Sequence, residues 1–334
     1  MTCVKNAPCY EVERGEVMKK TWYLIIGVVL LVIGCIAYGY HEHHKPKTAQ
    51  ELKTVRVAYL PITHALPVFA TKELETADGP VHVELVKYGS WPELMDALNT
   101  GKVDAASVLV ELGVKAREQG IDVRAAALGH TEGNIIIVNK DINSVQDLKG
   151  KSFAIPHKQS TQKILVDCML EQAGLSEKDV QIVEMSPPEM PSALSVGQIA
   201  GYSVAEPFGS LALEMGTGKV FEDPDHLWHD NICCALVFNG QFVDEHHDLA
   251  KAFTKAYLDA GTYLDEHPKA QEEISSKYMK FNDSVIERSL KVIGFKDLAL
   301  TEDRYNALVH HMTHIDLIKK VPAYSEFVDQ SLLP

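Results

Sequence analysis

From Val55 onward, short runs of β-branched and small apolar residues alternate with longer stretches whose apolar positions recur every three or four residues. The first pattern predicts strands and the second helices. Strands are expected at Val55–Leu60, Val81–Lys87, Ile135–Val138, Tyr202–Ala205 and Ala235–Phe238. Helices are expected up to about Lys72, at Thr161–Ala173 and, as one short turn ended by Gly150, at 143–150. The last third is helical, with segments at Leu249–Leu264, Lys269–Met279, Asp283–Ile293 and Glu302–Leu317.

One part of this pattern is written twice. Ser90–Val108 reads SWPELMDALNTGKVDAASV and Ser186–Val204 reads SPPEMPSALSVGQIAGYSV. Each copy has a Pro-Glu helix start, a short helix, a Gly able to take the left-handed turn at its end, and a strand of small residues. Upstream, Val55–Pro61 lies opposite Lys151–Pro156, each a strand running into a Pro-bearing loop. The repeating unit is therefore β-loop-α-β-loop-α-β. It is too long, and too few times repeated, for a solenoid. Two α/β lobes with a ligand between them are expected: residues 54–137 plus 236–334 as the first and 138–235 as the second.

With 334 residues, 46% of them hydrophobic, the chain has ample material for two cores. Its net charge of −14 argues against nucleic acid as a partner, since a phosphate-binding surface needs a basic stripe. Residues 1–17 show no periodicity and read as an extension ahead of a start at Met18. Met18-Lys19-Lys20 then precedes an apolar run closed by Val32-Ile33-Gly34-Cys35, the layout of a secretion signal. It resembles a bacterial lipobox, with Cys35 cleaved free and lipidated; the alternative for residues 18–35 is a membrane anchor retained by the chain, since neutral residues continue to Tyr40. Either way the folded part is expected outside the cytoplasmic membrane. Residues 36–53 form a polar tether whose His41, His43 and His44 read as solvated. The six cysteines imply no disulfide framework. Cys168 reads as a core position, and adjacent Cys233 and Cys234 on a strand should point to opposite faces.

In open α/β sheets the ligand crevice lies beyond the carboxyl ends of the strands. That places Thr63, His64, Ser90, Trp91 and His130 as candidate wall residues, with Thr63 and Ser90 equally readable as helix caps. In the second unit, Ser160 and Thr161 begin a helix where backbone N–H groups favour an anionic or strongly polar group, or Ser160 simply caps it. Glu206 emerges at another strand end. His310 and His314 share a helix face, read as half-exposed; no metal ligand and no cofactor is assigned.

The chain resembles the solute-binding proteins of ABC importers in the nitrate/sulfonate/taurine class. The resemblance lies in Arg56-Val57-Ala58-Tyr59-Leu60 with Ala65-Leu66-Pro67, Gly89-Ser90-Trp91, Gly133-Asn134, Ser186-Pro187-Pro188-Glu189-Met190, Val204-Ala205-Glu206-Pro207-Phe208 and Leu227-Trp228-His229-Asp230. It implies a bilobal periplasmic-binding-protein type II fold, monomeric and without enzymatic activity, that closes over one small molecule and docks on a membrane permease. It also implies that Trp91 is the binding-site tryptophan of this class. Nitrate and bicarbonate receptors usually carry a His near the position of Ser160 and a Lys near Cys233 and Cys234. Neither is present here, which turns the expectation toward a small anionic organic solute such as a sulfonate. A cleft-facing cysteine pair would favour a sulfur-containing or soft ligand, and a buried structural role is its alternative. Two other readings are an enzyme related to pyrimidine-precursor synthases of this fold, of which Cys233-Cys234 is an echo, and a metal receptor using the tether or C-terminal histidines.

Overall fold

The structure is a computed structural model that describes residues 22–23, 25–32, 34–35 and 53–334. Residues 1–52 and 53–334 form two separate units. In the first, the described residues are helical and exposed, Cys35 among them as a free thiol. The expected extension at 1–17 and the histidines of the tether lie outside the described residues. Among the described residues no helix is long and apolar enough to cross a membrane.

The second unit contains two five-stranded mixed sheets. Its strands are β1 (Thr54–Tyr59), β2 (His82–Lys87), β3 (Ala105–Leu109), β4 (Val123–Leu128), β5 (Thr131–Glu132), β6 (Asn134–Asn139), β7 (Ser152–Ile155), β8 (Gln181–Glu184), β9 (Gly201–Ala205), β10 (Gly218–Glu222), β11 (Cys234–Asn239) and β12 (Ile293–Gly294). The first sheet runs β2-β1-β3-β11-β4 and the second β10-β6-β9-β7-β8. Read from the other edge, the second order is β8-β7-β9-β6-β10, the same topology as the first. β1 pairs parallel with β2 and β3, as β7 does with β8 and β9. β11 in the first sheet and β6 in the second run antiparallel to their neighbours.

The sequence repeat has a structural counterpart. Its first copy becomes the helix Trp91–Asn99 and β3, its second the helix Met190–Ser195 and β9. In both, the helix ends in a left-handed glycine, Gly101 at φ 70° and Gly197 at φ 73°, where a Cβ would be strained. β3 and β9 are buried throughout, which is why they read as runs of small residues and not as alternating strands.

The chain changes sheets through the two antiparallel strands. Both expected boundaries fall inside a strand: 137/138 lies within β6, which pairs wholly in the second sheet, and 235/236 within β11, which pairs wholly in the first. A run such as Ile135–Val138, buried on both faces, reads alike in either sheet. The C-terminal helices form as His247–Glu266, Pro268–Tyr278, Asp283–Leu290 and Glu302–His314, packing Phe253, Tyr257, Tyr305 and Met312 into the core. Burying each such side chain contributes about 1.5–3 kcal/mol. Cys168, read as core, is only half-buried, because the helix Thr161–Gln172 turns Ile164, Leu165 and Met169 inward instead.

Candidate ligand site

Because β6 and β11 run against their neighbours, their first residues lie at the same end of each sheet as the last residues of the parallel strands. Thr63 and His64 follow β1, His130 follows β4, Cys234 opens β11, Asn134 opens β6, Thr161 follows β7 and Glu206 follows β9. These ends supply the groups that meet at the site.

His64, His130, Cys233 and Cys234 form one cluster in which a nitrogen or sulfur of each lies within 4.8 Å of those of the others. All four are buried. The two sulfurs are 3.9 Å apart, and His64 Nδ1 is 3.6 Å from Cys233 Sγ and 3.5 Å from Cys234 Sγ. The imidazoles lie against each other, tilted by 36°, with ring centroids 3.6 Å apart. His64 Nε2 is 2.9 Å from the Gly133 carbonyl, an acceptor only, so Nε2 carries a proton and Nδ1 is the ring nitrogen that faces the sulfurs. His130 Nε2 faces the Cys234 backbone N–H at 3.4 Å, and its Nδ1 is buried without a hydrogen-bond partner.

Strand alternation does not separate the two cysteines as expected, since β11 begins only at Cys234 and Cys233 belongs to the segment before it. Both are free thiols. Burial pushes the Cys233 thiol up, but the hydrogen bond with Cys234 and the neighbouring His64 and His130 outweigh it and hold it well below its ordinary value. Burial and the adjacent Cys233 push Cys234 well above. Burial, helped by His64, takes His130 down to about 4, so its ring is neutral at physiological pH.

A polar layer from the second sheet covers this cluster. Gln162 donates from Nε2 to Cys233 Sγ at 3.3 Å and to Asn134 Oδ1 at 2.7 Å. Asn134 donates in turn to Asn231, and Asn231 to the Trp228 carbonyl. Beside it the Thr161 hydroxyl lies between Glu111 Oε1 and the Ile232 carbonyl. Thr63 reaches across as well, its N–H and hydroxyl both donating to the Glu206 carbonyl at 3.1 and 2.9 Å.

Among the sequence-derived candidates, His64 and His130 are in the cluster, and Thr161 touches the layer above it. Thr63 and Glu206 join the two sheets; the Glu206 carboxylate itself is bonded to Ser210 and raised by burial. Ser160 is the helix cap of its alternative reading, accepting from Lys163 N–H and donating to the His157 carbonyl. Ser90 and Trp91 make no hydrogen bond or ring contact with the cluster among the described residues, although the Trp91 indole N–H is buried without a partner. Glu111 and Gln162 are not legible in the sequence as site residues, Asn134 is legible only as part of the Gly133-Asn134 motif, and the cysteines keep a structural alternative there. The available signal was two histidines at strand ends set against two cysteines at the start of a third strand.

A profile of the NMT1-like family matches residues 48–278, more than half of the chain. The chain belongs to the NMT1-like family. It is 36% identical to the ligand-binding component of an ABC-type import system from Staphylococcus aureus, whose structure was solved with zinc bound; that match covers 84% of this chain and 97% of the other, with a TM-score of 0.80. It is 29% identical to a putative aliphatic sulfonates-binding protein of Bacillus subtilis, over 82% of each chain. A 25% identical match to the nitrate import ATP-binding protein NrtC of Synechocystis sp. covers 65% of this chain but only 36% of that longer protein. The homologues that match over most of both chains are a ligand-binding component of an ABC-type import system and a sulfonates-binding protein, and the fold is the bilobal one of periplasmic binding proteins.

Proposed function

We infer that this protein is the extracytoplasmic receptor of an ABC importer, that its lobes close over one small solute and that the closed form docks on a membrane permease. The observation that carries this is the convergence of strand ends from both sheets on one buried site, with hydrogen bonds from Thr63 to Glu206 and between Glu111 and Thr161 joining them. Such bonds form only when the lobes are together, so a solute between them biases the open–closed equilibrium that a permease can sense. Lobe one then comprises residues 54–137 plus 236–334 and lobe two 138–235, except that β6 goes whole to lobe two and β11 whole to lobe one. Cys35 is the residue by which the receptor is lipidated and held at the membrane.

Two solute classes have support. Relatives named for sulfonates and nitrate support a small anionic solute. The zinc of the staphylococcal component supports a cation. The lining residues favour the second, since among the described residues the one buried lysine or arginine is Lys163, and it is held by Asp167 and Glu177. Calorimetry with sulfonates, taurine, nitrate and divalent metals, paired with small-angle scattering, tests the receptor reading. Binding with a measurable compaction is expected for one class; no compaction with any of them overturns it. Acyl labelling in cells, lost in Cys35→Ala, tests the anchor.

A further inference from the structure

We propose that His64, His130, Cys233 and Cys234 bind a single borderline-soft divalent cation of the zinc class, and that this ion is the solute the lobes enclose. The proposal rests on the receptor reading and names the occupant of its site.

Three distances, among His64, Cys233 and Cys234, match edges of a coordination shell. A tetrahedral ion with metal–sulfur bonds of about 2.3 Å and metal–nitrogen bonds of about 2.0–2.1 Å requires sulfur–sulfur edges of about 3.8 Å and sulfur–nitrogen edges of about 3.6 Å. The sulfur–sulfur separation here is 3.9 Å and the two sulfur–nitrogen separations to His64 are 3.6 and 3.5 Å. The fourth donor, on His130, lies within 4.8 Å of the other three.

The donor set selects the metal. Two thiolates and two imidazoles suit a borderline-soft ion and not magnesium or calcium, which take oxygen ligands. Two thiolates also balance a divalent charge, so the filled site is neutral where burial would penalise any other sum. A monovalent soft ion would leave it anionic.

The surrounding residues orient the ligands. The Gly133 carbonyl fixes the His64 tautomer with Nδ1 toward the sulfurs, the arrangement by which outer partners orient a metal-bound histidine. Gln162 places an amide N–H on Cys233 Sγ, where it would stabilise thiolate charge. The four ligands follow or open strands of the first sheet, whereas Gln162 and Thr161 begin a helix of the second. One lobe thus holds the ion and the other seals it, which ties metal occupancy to closure.

The test uses the full-length protein, reduced and freed of metal by a chelator. Zn(II) is titrated against a chromophoric competitor, and Co(II) is used as a spectroscopic stand-in. One equivalent of each is expected, with thiolate-to-cobalt charge-transfer absorption, intense tetrahedral bands and compaction in scattering. Cys233→Ser with Cys234→Ser should abolish the charge-transfer band, while Gln162→Ala keeps it and loosens Zn(II) by about 10–100-fold, as loss of an outer-shell partner does. Circular dichroism establishes that each variant is folded, and His64→Ala gives a second ligand deletion should the double variant not fold. Absence of stoichiometric binding to the folded protein overturns the proposal, as does binding that survives the ligand deletions. Sulfonate, taurine and nitrate are run in parallel. If an anion closes the lobes and the metal does not bind, the receptor reading stands and the metal fails; if nothing closes them, both fail.

Discussion

The Glu111 carboxyl donates its proton to the Thr161 hydroxyl. Thr161 has one hydroxyl proton and two oxygen neighbours, Glu111 Oε1 and the Ile232 carbonyl at 2.7 Å. The carbonyl can only accept, so the hydroxyl donates there and receives from the carboxyl. This requires a protonated Glu111, and complete burial, together with the charge of nearby Cys233, does push it well above the usual carboxylate range. The bond spans the two sheets and is present only when they meet.

Glu111→Gln retains a donor toward Thr161 and is expected to keep both fold and closure. Thr161→Val leaves a buried carboxyl proton and the Ile232 carbonyl without partners, a cost of about 1–3 kcal/mol for each unsatisfied group. It should weaken solute binding by tenfold or more while the urea midpoint of the solute-free form changes little, because the open form exposes these groups to water. Isothermal calorimetry and urea unfolding check this. Equal losses in both measurements would mean that the bond supports the fold and not the closure.

Gly133 sits at φ 84°, where a side chain is strained. A Cβ there would stand 2.8 Å from Ile293 Cδ1 and 3.1 Å from His64 Nε2. Gly133→Ala should therefore cost about 1–3 kcal/mol in backbone strain and also push His64 off its carbonyl partner. Unfolding and metal-binding measurements on the same preparation are expected to show both effects. Gly150→Ala provides the control, because it has the same left-handed conformation, φ 70°, with nothing within 4 Å of its Cβ. It should lose stability and keep ligand affinity.

These residues also show how far the sequence carries. The duplicated Pro-Glu helix and small-residue strand lead directly to matching positions in two sheets, since their signals are local. His64 and His130 are legible as groups at strand ends. Glu111 is not, because a lone carboxylate in Val110-Glu111-Leu112 looks like a solvent-facing helix position, and its burial comes from the second lobe. The expected parting of the cysteines fails for a different reason, as it depends on where β11 begins, which its pairing with β3 and β4 in the same sheet decides.

The half-buried Glu118 gives a dependence on pH. Its carboxylate bonds to Lys115 and accepts the backbone N–H groups of Lys319 and Lys320 at 2.7 and 2.8 Å, which takes it from an ordinary 4.5 to about 2. A folded value below the unfolded one adds stability that is fully present above pH 4.5 and lost as the pH falls through about 2. Urea midpoints of wild type and Glu118→Gln should therefore differ most near neutrality and converge between these limits. A constant difference across that range would assign the effect to packing.

The remaining histidines should prove dispensable for metal binding. His314 Nε2 is 3.0 Å from Glu171, and the His311 ring lies against Trp228 with centroids 4.5 Å apart, so both are already engaged on a partly exposed helix face. Burial, followed by the charges of His310 and His314, lowers His311. Among the described residues these histidines neither join the four-ligand cluster nor, with Glu171, form a second group of three ligands close enough to share an ion. His310→Ala with His314→Ala should leave the cobalt charge-transfer band and the Zn(II) stoichiometry unchanged. The same holds for deletion of residues 36–52, which contains His41, His43 and His44. Loss of the band in either variant, with His64, His130, Cys233 and Cys234 intact, would move the ion away from the buried cluster.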